Sequence, residues 1–211
     1  MECSEKTLRN ARQIALVGLI AAGVILRLAQ YLHNREFWAD EAYLAVDVID
    51  MSYRELAGFL HYNMTFPLGF LFAIKFVTNL CGHSEYAFRL LSLLTGTLSV
   101  FLFATLATRL LLPREKCKSD PPGAWLAILV AVALFAFGKH LIYYSSELRH
   151  YSLDIAAACA LYLVVLPTVG TDAWNRSHVC RTMVLGAAGA VVVWFSLTRL
   201  FILAWITTVQ L

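Results

Sequence analysis

Residues 67–82 read PLGFLFAIKFVTNLCG, and the way this stretch meets a membrane decides the topology of the chain. It is apolar, but it covers only about two-thirds of the ~20 residues that a helix needs to cross the hydrocarbon core of a bilayer. Lys75 stands near its middle, where a charge in a spanning helix would be costly. The stretch therefore either spans the membrane or lies along or dips into the interface.

The composition of the chain indicates an integral membrane protein. Hydrophobic residues make up 60% of the sequence and charged residues 15%, and the mean hydropathy is +0.67. Soluble proteins have about 45–50% apolar and about 25% charged residues. The net charge of +3 is scattered rather than gathered into a basic block, which excludes nucleic acid as a partner. The five cysteines show no metal-ligand spacing.

Long apolar segments predict an all-α fold with about five transmembrane helices in a single membrane domain, residues 1–211. A basic N-terminal tail precedes the first segment, which is too long for the core of a signal peptide and is expected to remain as an uncleaved span. The predicted spans are residues 13–32, 86–112, 123–145, 150–168 and 183–209.

The placement of basic residues distinguishes the two readings of residues 67–82. If this stretch spans, the basic loop at 113–123 lies on the side opposite the basic N-terminal tail, against the positive-inside tendency. If it lies at the interface, the tail, the loop at 113–123 and the basic loop at 170–181 all fall on the cytoplasmic side. We favour the interfacial reading, which makes residues 33–85 a large exterior loop of juxtamembrane helices.

One of these short helices is predicted at SYRELAGFL, residues 52–60. Ser52 and Glu55 have the spacing of a capping box, which marks a helix N-terminus. The expected apolar face, by which the helix would lie on the membrane surface, consists of Leu56, Phe59 and Leu60.

Two acidic clusters fall on the exterior side in this topology. FWADEAYLAVD, residues 37–47, follows the first span, and YYSSELRHYSLD, residues 143–154, forms the turn between the third and fourth spans. Charges beside an apolar run are often only a solvated flank, but here two such clusters share one membrane face. The candidate site residues that they supply are Trp38, Asp40, Glu41, Glu147, Arg149, His150, Tyr151 and Asp154.

The spacing of residues within these clusters predicts which side chains lie close together and where each one is placed. In a continuous helix Glu147 and Tyr151 would share a face, and Asp154 would lie deeper, with Arg149 as its nearest partner. Tyr143 and Tyr144 fit an interfacial aromatic belt better than a site. Glu41 suits the first turn of a helix, where a carboxylate is stabilised.

Arg199 is the third unusual charge, within WFSLTRLFILAW, residues 194–205, inside the last predicted span. A charge at that depth needs a cavity, a carboxylate or a bound anion, unless its side chain extends to the interface.

Three segments also resemble, in order, the N-terminal part of a GT-C glycosyltransferase, a class of membrane enzymes that take a sugar from a polyprenyl-phosphate carrier. They are FWADEAYLA, the stretch from FPLGF to LLTG at residues 66–96, and LIYYSSELRHYSLDI at residues 141–155. The similarity is nearest to family 39 and dolichyl-phosphate-mannose mannosyltransferase-like proteins, including relatives that modify lipopolysaccharide cores. Members usually continue through further spans, so the resemblance covers only an N-terminal portion of that fold.

The resemblance implies roles for individual residues. Asp40 would be the catalytic base of an inverting transfer, and Glu147 would support binding of the acceptor or of the carrier phosphate. Arg149 and Tyr151 would line the cavity, and Arg199 would lie near the donor phosphate. Some branches place the second acid where Asp154 stands, and a proline where His150 stands, so the second acid and the local backbone stay open.

The expected function is transfer of a sugar from a polyprenyl-phosphate-linked donor to a lipid, glycan or protein acceptor at the exterior face of a bacterial inner membrane. Such a transfer needs a base for the acceptor hydroxyl and cations for the leaving phosphate. We expect Trp38 to screen Asp40 from water and raise its basicity. No cofactor is demanded, although Asp40 and Glu147 could share a divalent metal. The alternatives are a truncated non-catalytic membrane protein and a transporter-like bundle, whose internal repeats the sequence does not show.

Overall fold

The computed structural model describes residues 2–62, 64–112 and 120–165, and Gly189. Across these ranges the chain is helical and contains no strand, in agreement with the predicted all-α fold. The helices are α1 (Glu2–Leu32), α2 (Ala39–Asp50), α3 (Tyr53–Leu56), α4 (Leu68–Cys81), α5 (Glu85–Leu111), α6 (Ala124–Phe137), α7 (Lys139–Tyr144) and α8 (Tyr151–Val165).

Two of these helices are long and apolar enough to cross a membrane, Thr7–Leu32 within α1 and Glu85–Leu111, which is α5. The protein buries only 11% of the apolar window of the first and 39% of that of the second. The remaining apolar surface would be stable against lipid rather than water. The apolar helices α4, α6 and α8 are shorter, and the predicted span at 183–209 lies outside the described residues except for Gly189.

The helices α1 and α5 run antiparallel. At one end the Tyr31 hydroxyl donates to the Tyr86 carbonyl at 2.9 Å. At the other end the N-terminal half of α1, at Leu16, packs with the C-terminal half of α5, at Ala104 and Ala107. The chain between them, residues 33–84, therefore begins and ends at the same end of the bundle, which is the arrangement that the interfacial reading of residues 67–82 predicts.

Residues 33–84 form a small domain-like cap with its own apolar core. The core is built from α2, α3, α4 and the N-terminal part of α5, and it includes Leu148 from the turn before α8. Lys75 of α4 donates to the carbonyls of Val48 at 2.7 Å and Met51 at 2.7 Å. The charge in the middle of the apolar stretch thus satisfies carbonyls at the C-terminal end of α2, where a cation is favourable.

The predicted helix at 52–60 is only partly present. The capping box is formed, since Ser52 accepts from the Glu55 backbone and Glu55 accepts from the Ser52 backbone. The helix ends at Leu56, however, and a turn at Gly58 follows. Leu56 and Leu60 are buried in the protein core, whereas Phe59 is 95% exposed, so the predicted apolar face shared by these three residues is wrong.

The predicted span 123–145 is interrupted at Gly138, where α6 ends and α7 begins. Arg27 of α1 is fully buried and donates to the carbonyls of Ala136 at 3.0 Å and Phe135 at 3.4 Å. These carbonyls lie in the last turn of α6, which leaves them without helical partners. The interruption is therefore stabilised by a cation from the neighbouring helix.

The turn after α7, residues 145–150, packs tightly on α5. A Cβ on Gly96 would lie 2.6 Å from the Ser145 Cβ, so only glycine allows this approach. The Ser92 hydroxyl donates to the Arg149 carbonyl at 3.2 Å, and the Ser152 hydroxyl donates to the Tyr144 carbonyl at 2.9 Å. Small and hydroxyl side chains thus hold the turn at the end of the bundle where the cap lies.

Candidate functional site

Glu41 is the centre of an ionic cluster at the cap end of the bundle. It is the third residue of α2, as expected for an acid in a first helical turn, and it accepts the Trp38 backbone N–H at 3.1 Å. Its Oε2 also accepts from Arg89 Nη2 at 3.0 Å, and its Oε1 accepts the Leu148 backbone N–H at 2.7 Å. The residue is 1% exposed. Glu41 therefore joins α2, α5 and the turn before α8, which makes it a structural residue.

Arg89 of α5 is the main partner of Glu41, and sequence reasoning did not single it out. It donates to the backbone carbonyls of Arg35 at 2.5 Å and Glu36 at 3.3 Å, and its guanidinium lies 4.7 Å from the Phe37 ring centroid. It thereby holds the loop between α1 and α2. The signal that could have found it is the one applied to Arg199, a charge inside an apolar segment that needs a partner.

Glu147 is held by a second arginine from the α1–α2 loop. Arg35 Nη2 donates to Glu147 Oε1 at 2.7 Å, and Arg35 Nη1 donates to the Tyr143 hydroxyl. The guanidinium also stacks 4.2 Å from the centroid of the Tyr143 ring. Burial acts to lower the pKa of Arg35, but the hydrogen bonds to Glu147 and Tyr143 outweigh it and raise the pKa above its ordinary value. Tyr143 therefore contacts the cluster, which the aromatic-belt assignment missed.

Asp40 meets the same turn through Arg149, whose Nη2 donates to Asp40 Oδ2 across 109 residues of sequence. The Arg149 guanidinium lies 6.0 Å from the Phe66 ring centroid. The Asp40 side chain is 54% exposed and that of Arg149 25%. Trp38 is itself 61% exposed, so in the described part of the chain it does not shield Asp40 from water by itself, and screening at a membrane boundary stays a prediction.

His150 and Asp154 form a separate pair, with His150 Nε2 3.7 Å from Asp154 Oδ2. The imidazole packs edge-on against Phe66 and Phe70, each at 5.9 Å between centroids. Burial lowers the pKa of His150; Asp154 opposes this shift and Arg149 adds to it. The predicted pairing of Asp154 with Arg149 is wrong, because Arg149 turns toward Asp40 instead.

The backbone conformation explains why the prediction of a continuous helix through Glu147 and Tyr151 is wrong. Residues 145–150 form bends and turns, and α8 begins only at Tyr151. Glu147 and Tyr151 therefore do not share a helical face. Tyr151 instead lies edge-on to Tyr144 at 4.8 Å between centroids and keeps 38% of its surface exposed.

A further acid of α2 is paired outside this cluster. Asp47 is fully buried, and its Oδ1 lies 2.8 Å from His61 Nδ1. His61 thus ties the loop after α3 to α2.

The side chains of Asp40 and Glu147 do not fit a metal ion shared between them. Among the described residues, no group of three or more His, Cys, Asp or Glu side chains could hold one. Asp40 and Glu147 are each bound to a different guanidinium, so the metal site considered for this pair has no support in the geometry. Arg199 lies outside the described residues.

Comparison with known proteins adds no family to this picture. No family model matches the chain, and no significant match is found among curated proteins or solved structures. The described residues define a helical protein in which two helices are able to cross a membrane and a charged cluster lies at one end of the bundle.

Proposed function

We propose that this chain is a GT-C-like glycosyltransferase, or the N-terminal portion of one, that takes a sugar from a polyprenyl-phosphate-linked donor. The observation that supports it most is the contact of Asp40 with Arg149. It joins the two segments whose resemblance to that class was noted, and it places a partly exposed carboxylate beside a partly exposed guanidinium. These are the two groups that such a transfer requires, a base and a phosphate-binding cation.

The proposed reaction is a single displacement. The acceptor hydroxyl oxygen attacks the anomeric carbon, and the bond from that carbon to the phosphate oxygen breaks. The electron pair of that bond leaves with the polyprenyl phosphate, and the hydroxyl proton passes to the Asp40 carboxylate. Attack from the face opposite the phosphate inverts the anomeric centre. A guanidinium binds phosphate oxygens in bidentate fashion and stays charged when partly buried, which suits Arg149 to the leaving group.

The other charged residues have supporting roles in this proposal. Glu41 and Arg89 are too buried to meet a substrate, with side chains 1% and 2% exposed, and they hold the α1–α2 loop in place. Glu147 is 11% exposed and bound to Arg35, so it positions the turn that presents Arg149. His150, Tyr151 and Asp154 would form the adjoining wall, with Arg199 as a further cation for the phosphate.

In the proposed topology the cap formed by residues 33–84 faces the exterior of a bacterial inner membrane, and about five spans cross the bilayer. The acceptor would be a lipid, glycan or protein at that face. A non-catalytic scaffold is the rival proposal, because buried ion pairs also serve to join helices.

The test is sugar transfer in membranes that contain the full chain and a polyprenyl-phosphate-linked sugar. We expect Asp40→Asn to abolish transfer while membrane insertion and protein level stay normal, because an amide cannot take the hydroxyl proton. Asp50→Asn is the matched control, since Asp50 is an exposed acid at the end of the same helix, and it should transfer normally. Normal transfer by Asp40→Asn, or no transfer by the unmodified protein with any donor tested, would favour the scaffold.

A further inference from the structure

The three guanidiniums of the ionic cluster at the cap end differ in how firmly they are held. Arg89 has three oxygen acceptors and a side chain that is 2% exposed. Arg35 has Glu147 and Tyr143 as acceptors and an 18% exposed side chain. For Arg149, the carboxylate of Asp40 is the side-chain acceptor found in the described part of the chain, and its side chain is 25% exposed. Arg149 is thus the arginine of this cluster that can change partner most easily.

The partner of Arg149 is also the acid best able to lose a cation. Asp40 is 54% exposed, so water can solvate its carboxylate once the guanidinium leaves. The side chains of Glu147 and Glu41 are only 11% and 1% exposed. If either lost its arginine, its carboxylate would become a buried charge that water cannot solvate well. An exposed ion pair typically changes an equilibrium constant by no more than about fivefold, which a bidentate phosphate can exceed.

In this contact the base and the phosphate-binding cation are engaged with each other. Asp40 Oδ2 accepts from Arg149 Nη2, which takes one of the two N–H groups on that nitrogen and closes one bidentate edge of the guanidinium to a donor phosphate. A base must also lie within hydrogen-bond reach of the hydroxyl it deprotonates. The described structure therefore has the geometry of a resting state, in which the base and the phosphate cation occupy each other.

We propose that the donor phosphate displaces Asp40 from Arg149, so that donor binding itself releases the base. Arg149 turns to the phosphate, and Oδ2 of Asp40 becomes available to an acceptor hydroxyl only when a donor is in place. Binding is then ordered, with donor before acceptor. This inference rests on the proposed function of the same site, although the exchange of partners needs only a phosphate ester and no transfer.

The experiment measures binding of geranyl phosphate to the purified full chain in detergent micelles by calorimetric titration, with geraniol as the uncharged control ligand. Asp40→Asn should bind geranyl phosphate about two- to fivefold more tightly than the unmodified protein, because the competing carboxylate is gone. Arg149→Gln should bind it at least about tenfold more weakly, as expected for loss of a charged hydrogen-bond partner. Binding of geraniol should not change in either variant.

Two further variants separate this exchange from a general effect of charge. Glu36→Gln also removes one negative charge from the α1–α2 loop, at an exposed side chain, and should gain less affinity than Asp40→Asn. In the double variant Asp40→Asn with Arg149→Gln, the gain from Asp40→Asn should vanish, because its cause is the freed guanidinium.

Equal affinity of Asp40→Asn and the unmodified protein would overturn the proposal, as would the same gain in Glu36→Gln or a gain that persists without Arg149. If Arg149→Gln does not fold, Arg149→Lys tests the same step. Lysine keeps the positive charge but cannot form the bidentate hydrogen bonds of a guanidinium. Unchanged affinity of Arg149→Lys for geranyl phosphate would also contradict the proposal. A full set of expected affinities without sugar transfer from any donor would refute the proposed function and leave the exchange standing.

Discussion

Glu41 and Arg89 form an ion pair of 3.0 Å that is almost completely inside the protein, with side chains 1% and 2% exposed. They lie 48 residues apart in sequence, one in the first turn of α2 and the other in α5. The pair fixes the cap to the bundle. The carboxylate also contacts Arg35 and the backbone N–H groups of Leu148 and Trp38.

Removal of one partner of this pair should destabilise the protein strongly. We expect Arg89→Met to lower the free energy of unfolding by about 3–5 kcal/mol, because the buried Glu41 carboxylate loses its nearest cation and keeps only Arg35 at 4.0 Å as a charged partner. Reversible denaturation in mixed micelles measures this. Arg54→Met, at an exposed site in α3, should change stability little. The double variant Glu41→Gln with Arg89→Met should lose less than the sum of the single losses, and full additivity would contradict the coupling.

The close approach of α5 to the turn before α8 gives a second prediction. Gly96→Ala should destabilise by about 1–3 kcal/mol, because the new Cβ would lie 2.6 Å from the Ser145 Cβ and 3.3 Å from the Ser145 Cα. The same denaturation experiment measures it. Gly18→Ala is the matched control, since a Cβ there meets nothing within 4 Å. Ser145→Gly should recover part of the loss in Gly96→Ala, and the absence of any recovery would show that the contact is not its cause.

The partly buried imidazole of His150 predicts a dependence of stability on pH. Burial lowers the pKa of His150 in the folded protein below the ordinary value of 6.5. Below pH 6.5 the unfolded chain therefore binds a proton more readily than the folded one, so the free energy of unfolding falls as pH decreases from 6.5 to the folded pKa and then levels. Thermal unfolding between pH 8 and pH 5 measures this.

The matched variants for this prediction are His150→Phe and His83→Phe. The first keeps a ring between Phe66 and Phe70 but removes the titrating group, so its contribution to the pH dependence should disappear. The second replaces an exposed histidine and should keep the pH profile of the unmodified protein. Identical profiles for His150→Phe and the unmodified protein would assign the pH dependence to other groups.

The topology can be tested with cysteine chemistry. Cys81 is a free, exposed thiol at the end of α4. If residues 67–82 do not cross the bilayer, it lies on the exterior side, and a membrane-impermeant maleimide should label a variant with Cys81 as its sole cysteine in intact spheroplasts. A variant with only Cys117, in the loop that we place in the cytoplasm, should be labelled only after permeabilisation. The reverse pattern would overturn the proposed topology.

Much of the architecture was predictable because its causes are local. Apolar length indicates helices able to cross a membrane, and the predicted segments 13–32 and 86–112 fall within α1 and match α5. The capping box at Ser52 was correct for the same reason, since it depends on residues three apart. The end of that helix at Leu56 and the interruption at Gly138 were missed, because the surrounding apolar pattern continues through both.

The sequence by itself determined the helical class, the apolar segments and the two charged segments that make up the candidate site. Only the tertiary structure decided which charge meets which. Asp40 binds Arg149 rather than standing behind Trp38, Glu147 binds Arg35, and Glu41 binds Arg89. These partners are 48 to 112 residues apart. Their pairing depends on the antiparallel packing of α1 and α5 and on the tight turn at residues 145–150, and local periodicity contains no information about either.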